Sequence, residues 1–504
     1  MGCAASTRPM PRCSLACAEM DWFQAPDYWL TRLVIERALG VIYFVAFLVA
    51  VNQFRPLLGE KGLLPAPLFL SRVSFLQAPS LFHLRYSDPL LLGVAWSGVV
   101  LSLAVVAGIT DLAPAWISIL IWFALWVLYQ SIVNVGQIFY AFGWETLLLE
   151  AGFLAIFLGA GPTVPAWPLI LLFRWLVFRV EFGAGMIKLR GDRCWRDLTC
   201  LYYHHETQPM PNPLSWFFHH LPKPLHRVEV LGNFFAQLVV PFFLFAPQPV
   251  ASFAGAVLVL TQAWLVLSGN FSWLNFLTMT LAFSAFDDRA LSLVLTVHVP
   301  HLVPLPMWWQ WLVIAVTLLV VVLSYRPVLN LISPNQLMNF SFDPFHLVNT
   351  YGAFGSVTKE RYEIVVEGTA SSEPAEVEWK AYEFKGKPGD PRRVPRQYAP
   401  YHLRLDWLMW FAAMESPFRH QWFIAFLVKL LQGDRPTLRL LGHNPFPNRP
   451  PASVRASLYR YRFSTFEEWR KDRAWWVRTP AGDYLPGLVL DAAGRPARLN
   501  PSRG

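Results

Sequence analysis

Between residues 33 and 325, apolar runs follow one another at lengths that suit the hydrocarbon core of a bilayer. A spanning helix needs about 20 mainly apolar residues. The runs at 33–51, 89–109, 114–134, 145–160, 167–188, 230–247, 250–268, 271–286 and 307–325 come near that length. In lipid, every backbone polar group must be satisfied within its own segment, so the runs are read as helices. The fourth and eighth are short, and the expected count is eight or nine spans. Only 15% of the 504 residues are charged, against roughly 25% in soluble domains. The mean hydropathy is +0.36. Disorder, a coiled coil and a small disulfide-framework fold are excluded.

Beyond Tyr325-Arg326-Pro327 the pattern changes. RYEIVVEGT (361–369), VEWKAYEFKG (377–386) and the run from His402 alternate apolar and polar residues, as half-buried strands do. LYRYRF (458–463) and WWVR (475–478) read as further strands, while 405–415 and 420–432 have helical spacing. The expected fold is an α-helical multipass membrane bundle followed by a soluble, β-rich α+β C-terminal domain. Its parts are a mobile N-terminus (1–32), the bundle (33–325) with a polar interfacial loop at 189–229, a link (326–345), the α+β domain (346–485) and a tail (486–504).

The N-terminal MGCAAS fits a myristoylation pattern, Met20 offers a second start, and nothing resembles a cleavable signal peptide. Asn270-Phe271-Ser272 and Asn339-Phe340-Ser341 fit the N-glycosylation pattern, with Asn270 placed too near the bilayer to serve.

A net charge of +9 invites a nucleic-acid reading, yet the Lys and Arg are scattered over loops and membrane flanks. Attraction to anionic lipid explains the excess, and no nucleic-acid partner is expected. Loop 189–229 holds Arg190, Arg193, Arg196, Lys223 and Arg227, so charge alone does not fix the orientation across the membrane. No G-x-S-x-G, H-E-x-x-H, P-loop or dinucleotide fingerprint occurs. No catalytic residue, cofactor or metal site is expected.

Charges within spans are costly and mark candidate sites. The fifth run holds Arg174, Arg179, Glu181 and Lys188, and the fourth holds Glu145 and Glu150. Arg174, Glu181 and Lys188 recur every seven residues and so share a helix face. If the two helices pack, a glutamate can neutralise an arginine. The group is then either an ion-pair network holding the bundle or the lining of a polar cavity for a head group, a cofactor or a proton, in which case the alternative is an intramembrane enzyme or a cofactor- or lipid-binding protein with its cavity between the fourth and fifth spans. Asn134, Gln137, Asn233, Gln237, Gln262, Asn270 and Asn275 can join either through interhelical hydrogen bonds.

The densest polar segment is RGDRCWRDLTCLYYHHETQPMPNP, 190–213. Five residues separate Cys194 from Cys200, a spacing that a loop disulfide can bridge on an oxidising side. A metal set of Cys194, Cys200, His204 and His205 has none of the familiar zinc spacings. A thioredoxin-type pair would need two intervening residues. An ordered interfacial loop, its Arg and Asp paired with each other and with lipid, accounts for the composition equally well.

This segment resembles the signature loop of the lipase maturation factor family, here carried by Arg190, Asp192, Trp195, Arg196, Asp197, His204, His205 and Glu206. QFRPLLGEKGLLP (53–65), SGNFSWLNFLT (268–278), HLVNTYGAFGSVTKERYEIVVEGT (346–369), PRQYAPYHLRLDWLMWFAA (395–413) and GHNPFPNRPPASVRASLYRYRF (442–463) carry the same resemblance, in order, from about 30 to 480. It implies a multipass protein that assists secreted lipases to fold and assemble. In eukaryotes such a protein sits in the endoplasmic reticulum membrane with its C-terminal domain in the lumen, engaging client lipases or other secreted proteins. It also implies thioredoxin-like oxidoreductases as partners, which draws attention to Cys194 and Cys200, and it supplies no enzymatic residues. The short Ala/Cys-rich start and the NPSRG end, without a retrieval signal, depart from the family pattern. They leave a plasma-membrane location open if the source is prokaryotic. Aromatic side chains such as Trp407, Trp410, Trp475 and Trp476 are the candidates for covering a client's apolar surface, against plain core packing.

Overall fold

The structure is a computed structural model that describes residues 21–371 and 378–498. The myristoylation pattern and the alternative start at Met20 lie outside the described residues.

Ten helices set out the bundle and its cap. They are α1 (Trp29–Leu58), α2 (Asp88–Val106), α3 (Ala115–Val135), α4 (Gly143–Ala155), α5 (Trp167–Arg190), the short α6 (Leu201–Thr207), α7 (Lys223–Leu238), α8 (Val250–Ser268), α9 (Leu274–Ala282) and α10 (Met307–Leu323). Helix α11 (Tyr325–Ile332) follows almost without a break. Among the described residues, six helical stretches are long and apolar enough to cross a membrane: Pro26–Leu58, Asp88–Val106, Ala115–Val135, Lys223–Phe245, Val250–Ser268 and Met307–Ile332. The expected eight or nine exceed this for two physical reasons. Helix α5 has 24 residues but carries five charges, Arg174, Arg179, Glu181, Lys188 and Arg190, and α4 and α9 have only 13 and 9 residues. At 1.5 Å per residue, the latter reach about 20 Å and about 14 Å, short of the roughly 30 Å hydrocarbon core.

Close helix approach depends on two glycines. A Cβ at Gly98 of α2 would meet the Phe47 ring of α1 at 2.4 Å, and one at Gly152 of α4 would meet the Tyr43 hydroxyl at 1.8 Å. Both sites admit backbone against side chain only because there is no Cβ.

The C-terminal region is built on a five-stranded antiparallel sheet of order β4-β3-β5-β6-β7. Its strands are β3 (Arg361–Thr369), β4 (Lys380–Ala381), β5 (Ser453–Phe463), β6 (Trp476–Leu490) and β7 (Pro496–Arg498), and β1 (Phe340–Ser341) pairs separately with β2 (Asn349–Thr350). Strands β3 and β5 pair without a slip from Arg361↔Tyr461 to Thr369↔Ser453. Helices α12 (Arg404–Ala412) and α13 (Gln421–Leu431) pack on this sheet.

Several expected boundaries move. The run from His402 is not a strand, because α12 begins at Arg404, and only two residues of 377–386 pair as β4. The link at 326–345 holds most of α11 and all of β1, and the supposed tail holds the end of β6 and all of β7. The largest change is in how the two regions meet. One apolar core runs without interruption from Phe47, Trp122 and Phe173 in the bundle to Trp407, Phe426 and Val454 beyond it. The C-terminal region is therefore seated on the helices over an apolar contact, where a link at 326–345 between two separate parts was expected.

Candidate functional site

The charges of α4 and α5 divide into a dry network and a cavity wall. Arg179 of α5 pairs with Glu150 of α4 through its guanidinium. Nη1 of Arg179 also donates to the Asn349 carbonyl at 2.7 Å. Oε2 of Glu150 accepts from the Asn349 amide at 3.0 Å and from the Tyr351 hydroxyl at 2.7 Å. Glu145, at the start of α4, turns away from α5. Its Oε1 accepts from Nη1 of Arg404 at 2.8 Å, and its Oε2 takes the Tyr129 hydroxyl. Arg174 meets no carboxylate among the described residues. It donates to the carbonyls of Ser284 and Leu244, both at 2.9 Å, and to the Tyr28 hydroxyl at 3.0 Å. These carbonyls belong to short 3-10 segments, whose ends have no helical partners of their own.

Glu181 and Lys188 take the other course. A cavity of about 720 Å³ lies among α5, α7, α8, α9 and α12, under α6, and these two residues are on its wall. Oε1 of Glu181 accepts from Gln262 at 2.6 Å and Oε2 from Gln237 at 3.2 Å. Asn275 donates to Gln262 at 2.7 Å, and Lys188 Nζ donates to Gln237 and Asn233, both at 2.9 Å. A polar chain from four helices thus crosses an otherwise apolar wall of Trp195, Leu225, Phe271, Trp407 and Phe411. Such a lining of apolar faces with a few fixed polar groups is the usual make-up of a ligand pocket.

Segment 190–213 caps this cavity, and it is pinned from both regions. Arg190 donates to the Leu331 carbonyl and to Gln336, each at 2.9 Å. The Asp192 side chain caps the turn at Cys194, and its backbone N–H donates to the Gly355 carbonyl at 2.8 Å. Trp195 donates to the Phe354 carbonyl at 2.8 Å. Arg196 is exposed, and Asp197 pairs with Arg193 at 3.2 Å. Cys194 and Cys200 are bonded to each other, Cα–Cα 4.8 Å apart, and both are buried. That bond removes them from any ligand set with His204 and His205.

Those two histidines face the cavity from α6. Burial pushes His204 down to about 4 and His205 well below its ordinary value, so both imidazoles are neutral at pH 7. Glu206 Oε2 accepts from the Phe463 amide at 2.7 Å. Arg361, the first residue of β3, donates to the carbonyls of Glu206, Gln208 and Pro209. The sheet therefore holds the cap in place, and the cap roofs the cavity.

Trp407 and Trp476, candidates for a client surface, are 3% and 1% exposed and belong to the core. The large apolar residues left open on the C-terminal region include Phe418 and Phe466, 72% and 51% exposed. Arg404, Asn349 and Tyr351 lie in the stretches that carry the family resemblance, but nothing in their local pattern shows that they reach into the bundle. Glu229 and His226, beneath the cap, are not singled out by the sequence, although their i,i+3 spacing puts them on one face of α7.

Residues 30–293 match the family model described as the lipase maturation factor transmembrane domain, and residues 347–486 match the lipase maturation factor C-terminal domain. Lipase maturation factor 1 of Bos taurus is 44% identical over 92% of this chain and 90% of its own length. Lipase maturation factor 1 of Homo sapiens is 43% identical, over 92% and 88%. Lipase maturation factor 2 of Mus musculus is 28% identical, over 90% and 82%. No solved structure matches the chain. With both regions matched in order and this identity sustained over nearly its whole length, the chain belongs to the lipase maturation factor family.

Proposed function

We propose that the chain is a membrane-embedded maturation factor for secreted lipases, with the C-terminal region engaging the client. The observation that carries this is the 44% identity to lipase maturation factor 1 across 92% of the chain, membrane and C-terminal regions alike. A folding intermediate exposes apolar surface that aggregates, so a factor that covers this surface reversibly raises the yield of native enzyme. Phe418 and Phe466 are the exposed aromatic groups suited to that contact. Helix α5 serves as a seventh crossing, while α4 and α9 enter the bilayer only part-way, so the number of passages is odd and the termini lie on opposite sides. The C-terminal region then faces the lumen of the endoplasmic reticulum in a eukaryotic cell. There an oxidising medium accords with the Cys194–Cys200 bond.

The test is expression of the full chain in cells that lack their own lipase maturation factor, with a secreted lipase as reporter. Active lipase should return, and Phe418→Ser with Phe466→Ser should reduce it at equal chain level and unchanged melting temperature. No rescue by a chain that inserts normally would overturn the proposal. Deleting residues 345–504 is a poor test, because the bundle would lose the Arg404 partner of Glu145.

One observation favours a second reading, an intramembrane ligand site: the 720 Å³ cavity with Glu181 and Lys188 on its wall. Lipid or another apolar molecule with a polar head matches that lining. Native mass spectrometry of the purified chain distinguishes an adduct from an empty protein.

A further inference from the structure

Three donor groups meet beneath the cap without being satisfied by one another, His205 and Glu229 on the cavity wall and His226 next to them. His205 is 2% exposed, and neither of its ring nitrogens has a hydrogen-bond partner among the described residues. His226, at the start of α7, is 1% exposed. Its Nε2 lies 3.4 Å from the His219 carbonyl. Nδ1 faces Oε2 of Glu229 at 3.5 Å, and neither atom has a hydrogen-bond partner among the described residues. The other carboxylate oxygen, Oε1, is held by the indole of Trp264 at 2.6 Å.

A cation between these two atoms engages both and also gives His205 the partner it lacks. One nitrogen from each histidine and one oxygen from Glu229 lie within 4.8 Å of one another. Two imidazoles and one carboxylate are a donor set that zinc takes with a fourth position open. The outer contacts also suit a metal. His226 gives its remaining N–H to a backbone carbonyl and Glu229 is oriented by an indole, as metal ligands are usually held. Donors around a tetrahedral zinc stand roughly 3.4 Å apart for bonds of about 2.0–2.1 Å. Closure of at most about 1.4 Å completes the set.

We propose that His205, His226 and Glu229 bind a divalent transition-metal cation, zinc foremost, at the wall of the cavity, with one coordination position turned toward that space. Two helices supply the ligands: α7 gives an i,i+3 pair and α6 the third. The ion ties the cap to the bundle from beneath, while Arg361 ties it from the sheet side.

The test uses the full-length chain, purified in detergent and stripped with a chelator. It is dialysed against zinc ions, metal is counted by mass spectrometry, and cobalt ions serve as the spectroscopic probe. The expected result is one zinc per chain and visible cobalt absorption of a four-coordinate nitrogen/oxygen site. Glu229→Gln keeps shape and the Trp264 contact while removing the charge, and should weaken zinc by about 100-fold or more; Trp264→Phe should weaken it by about 10-fold. His205→Phe, matched to its apolar surroundings, should abolish the cobalt spectrum. Each variant's melting temperature without metal is compared with that of the parent, so that a folding failure is seen as such. The proposal is overturned if the parent takes up no zinc. It is equally overturned if Glu229→Gln binds as tightly as the parent, which would place the ion elsewhere.

Discussion

Arg404, in the first turn of α12, donates through Nη1 to Oε1 of Glu145 at 2.8 Å, and both side chains are wholly shut off from solvent. The pair joins the C-terminal region to the membrane helices across 259 residues of sequence. Removing one member of such a pair leaves a buried charge without a partner, which is worse than replacing both by apolar groups. Glu145→Ala should therefore cost about 3–5 kcal/mol, and the double change Glu145→Leu with Arg404→Met should recover most of it. Thermal unfolding of the detergent-solubilised chain, followed by tryptophan fluorescence, measures both. Equal losses in single and double variants would show that the pair itself is not what holds the regions together.

Glu150 and Glu181 sit on neighbouring helices but should respond in opposite ways to the same change. Glu150 neutralises Arg179, so Glu150→Gln should lose about 3 kcal/mol. Glu181 contacts only the side-chain amides of Gln237 and Gln262 among the described residues, which a glutamine can partly replace. Glu181→Gln should change stability by less than about 1 kcal/mol. If it instead unfolds the bundle, Glu181 belongs to the structural network and not to the cavity.

Asp406 gives a pH signature. Burial raises its carboxyl from 3.8 to about 6, against the opposing pull of the Gly386 amide and of Lys387, Lys385 and Arg393. The folded state then holds a proton that the unfolded state has already released between pH 4 and pH 6. The unfolded state binds fewer protons in that window, so stability falls as pH rises through it. The full effect is about 3 kcal/mol, because each tenfold gain in proton affinity on folding is worth about 1.4 kcal/mol. The chain carrying Asp406→Asn should lack this slope, and the difference between the two stability profiles from pH 4 to pH 7 isolates it. Parallel profiles would refute the assignment.

The Cys194–Cys200 bond closes a short loop, and chain entropy assigns such a loop about 2 kcal/mol. Both sulfurs are buried, so exchange with a client thiol would require the cap to open. Changing both to serine should lower the melting temperature while leaving the disulfide pattern of the secreted lipase unaltered. Mixed disulfides trapped between this chain and its client would show the opposite, a thiol-exchange role.

The membrane region is readable because hydrophobic run length is a local property, and each of the nine runs contains or overlaps a helix. The pairing of Glu150 with Arg179 follows from two adjacent helices carrying opposite charges. The partners of Glu145 and Arg174 do not. One is a guanidinium 259 residues away, and the others are backbone carbonyls and a tyrosine hydroxyl, which leave no mark in a charge pattern. The polar residues Gln237, Gln262 and Asn275 stand out because amides are expensive in lipid, but that they line a cavity is visible only in three dimensions. The β-rich region shows its strand at 361–369 by alternation. Strand β6 is only glimpsed at 475–478, because Pro480 and Gly482 interrupt its pattern where its register with β5 shifts. That His226 and Glu229 converge with His205 depends on α6 folding over α7, which no spacing within either helix encodes.

The distance in sequence between Glu145 and Arg404 sets an order of events during synthesis. A ribosome adding roughly 5–20 residues per second leaves the glutamate waiting about 10–50 s for its counter-charge. Until then α4 keeps a carboxylate facing what becomes the interior, held by the Tyr129 hydroxyl alone. A polypeptide cut short anywhere before residue 404 stays in that unfinished state, and a quality-control system can recognise it by the ion it fails to cover.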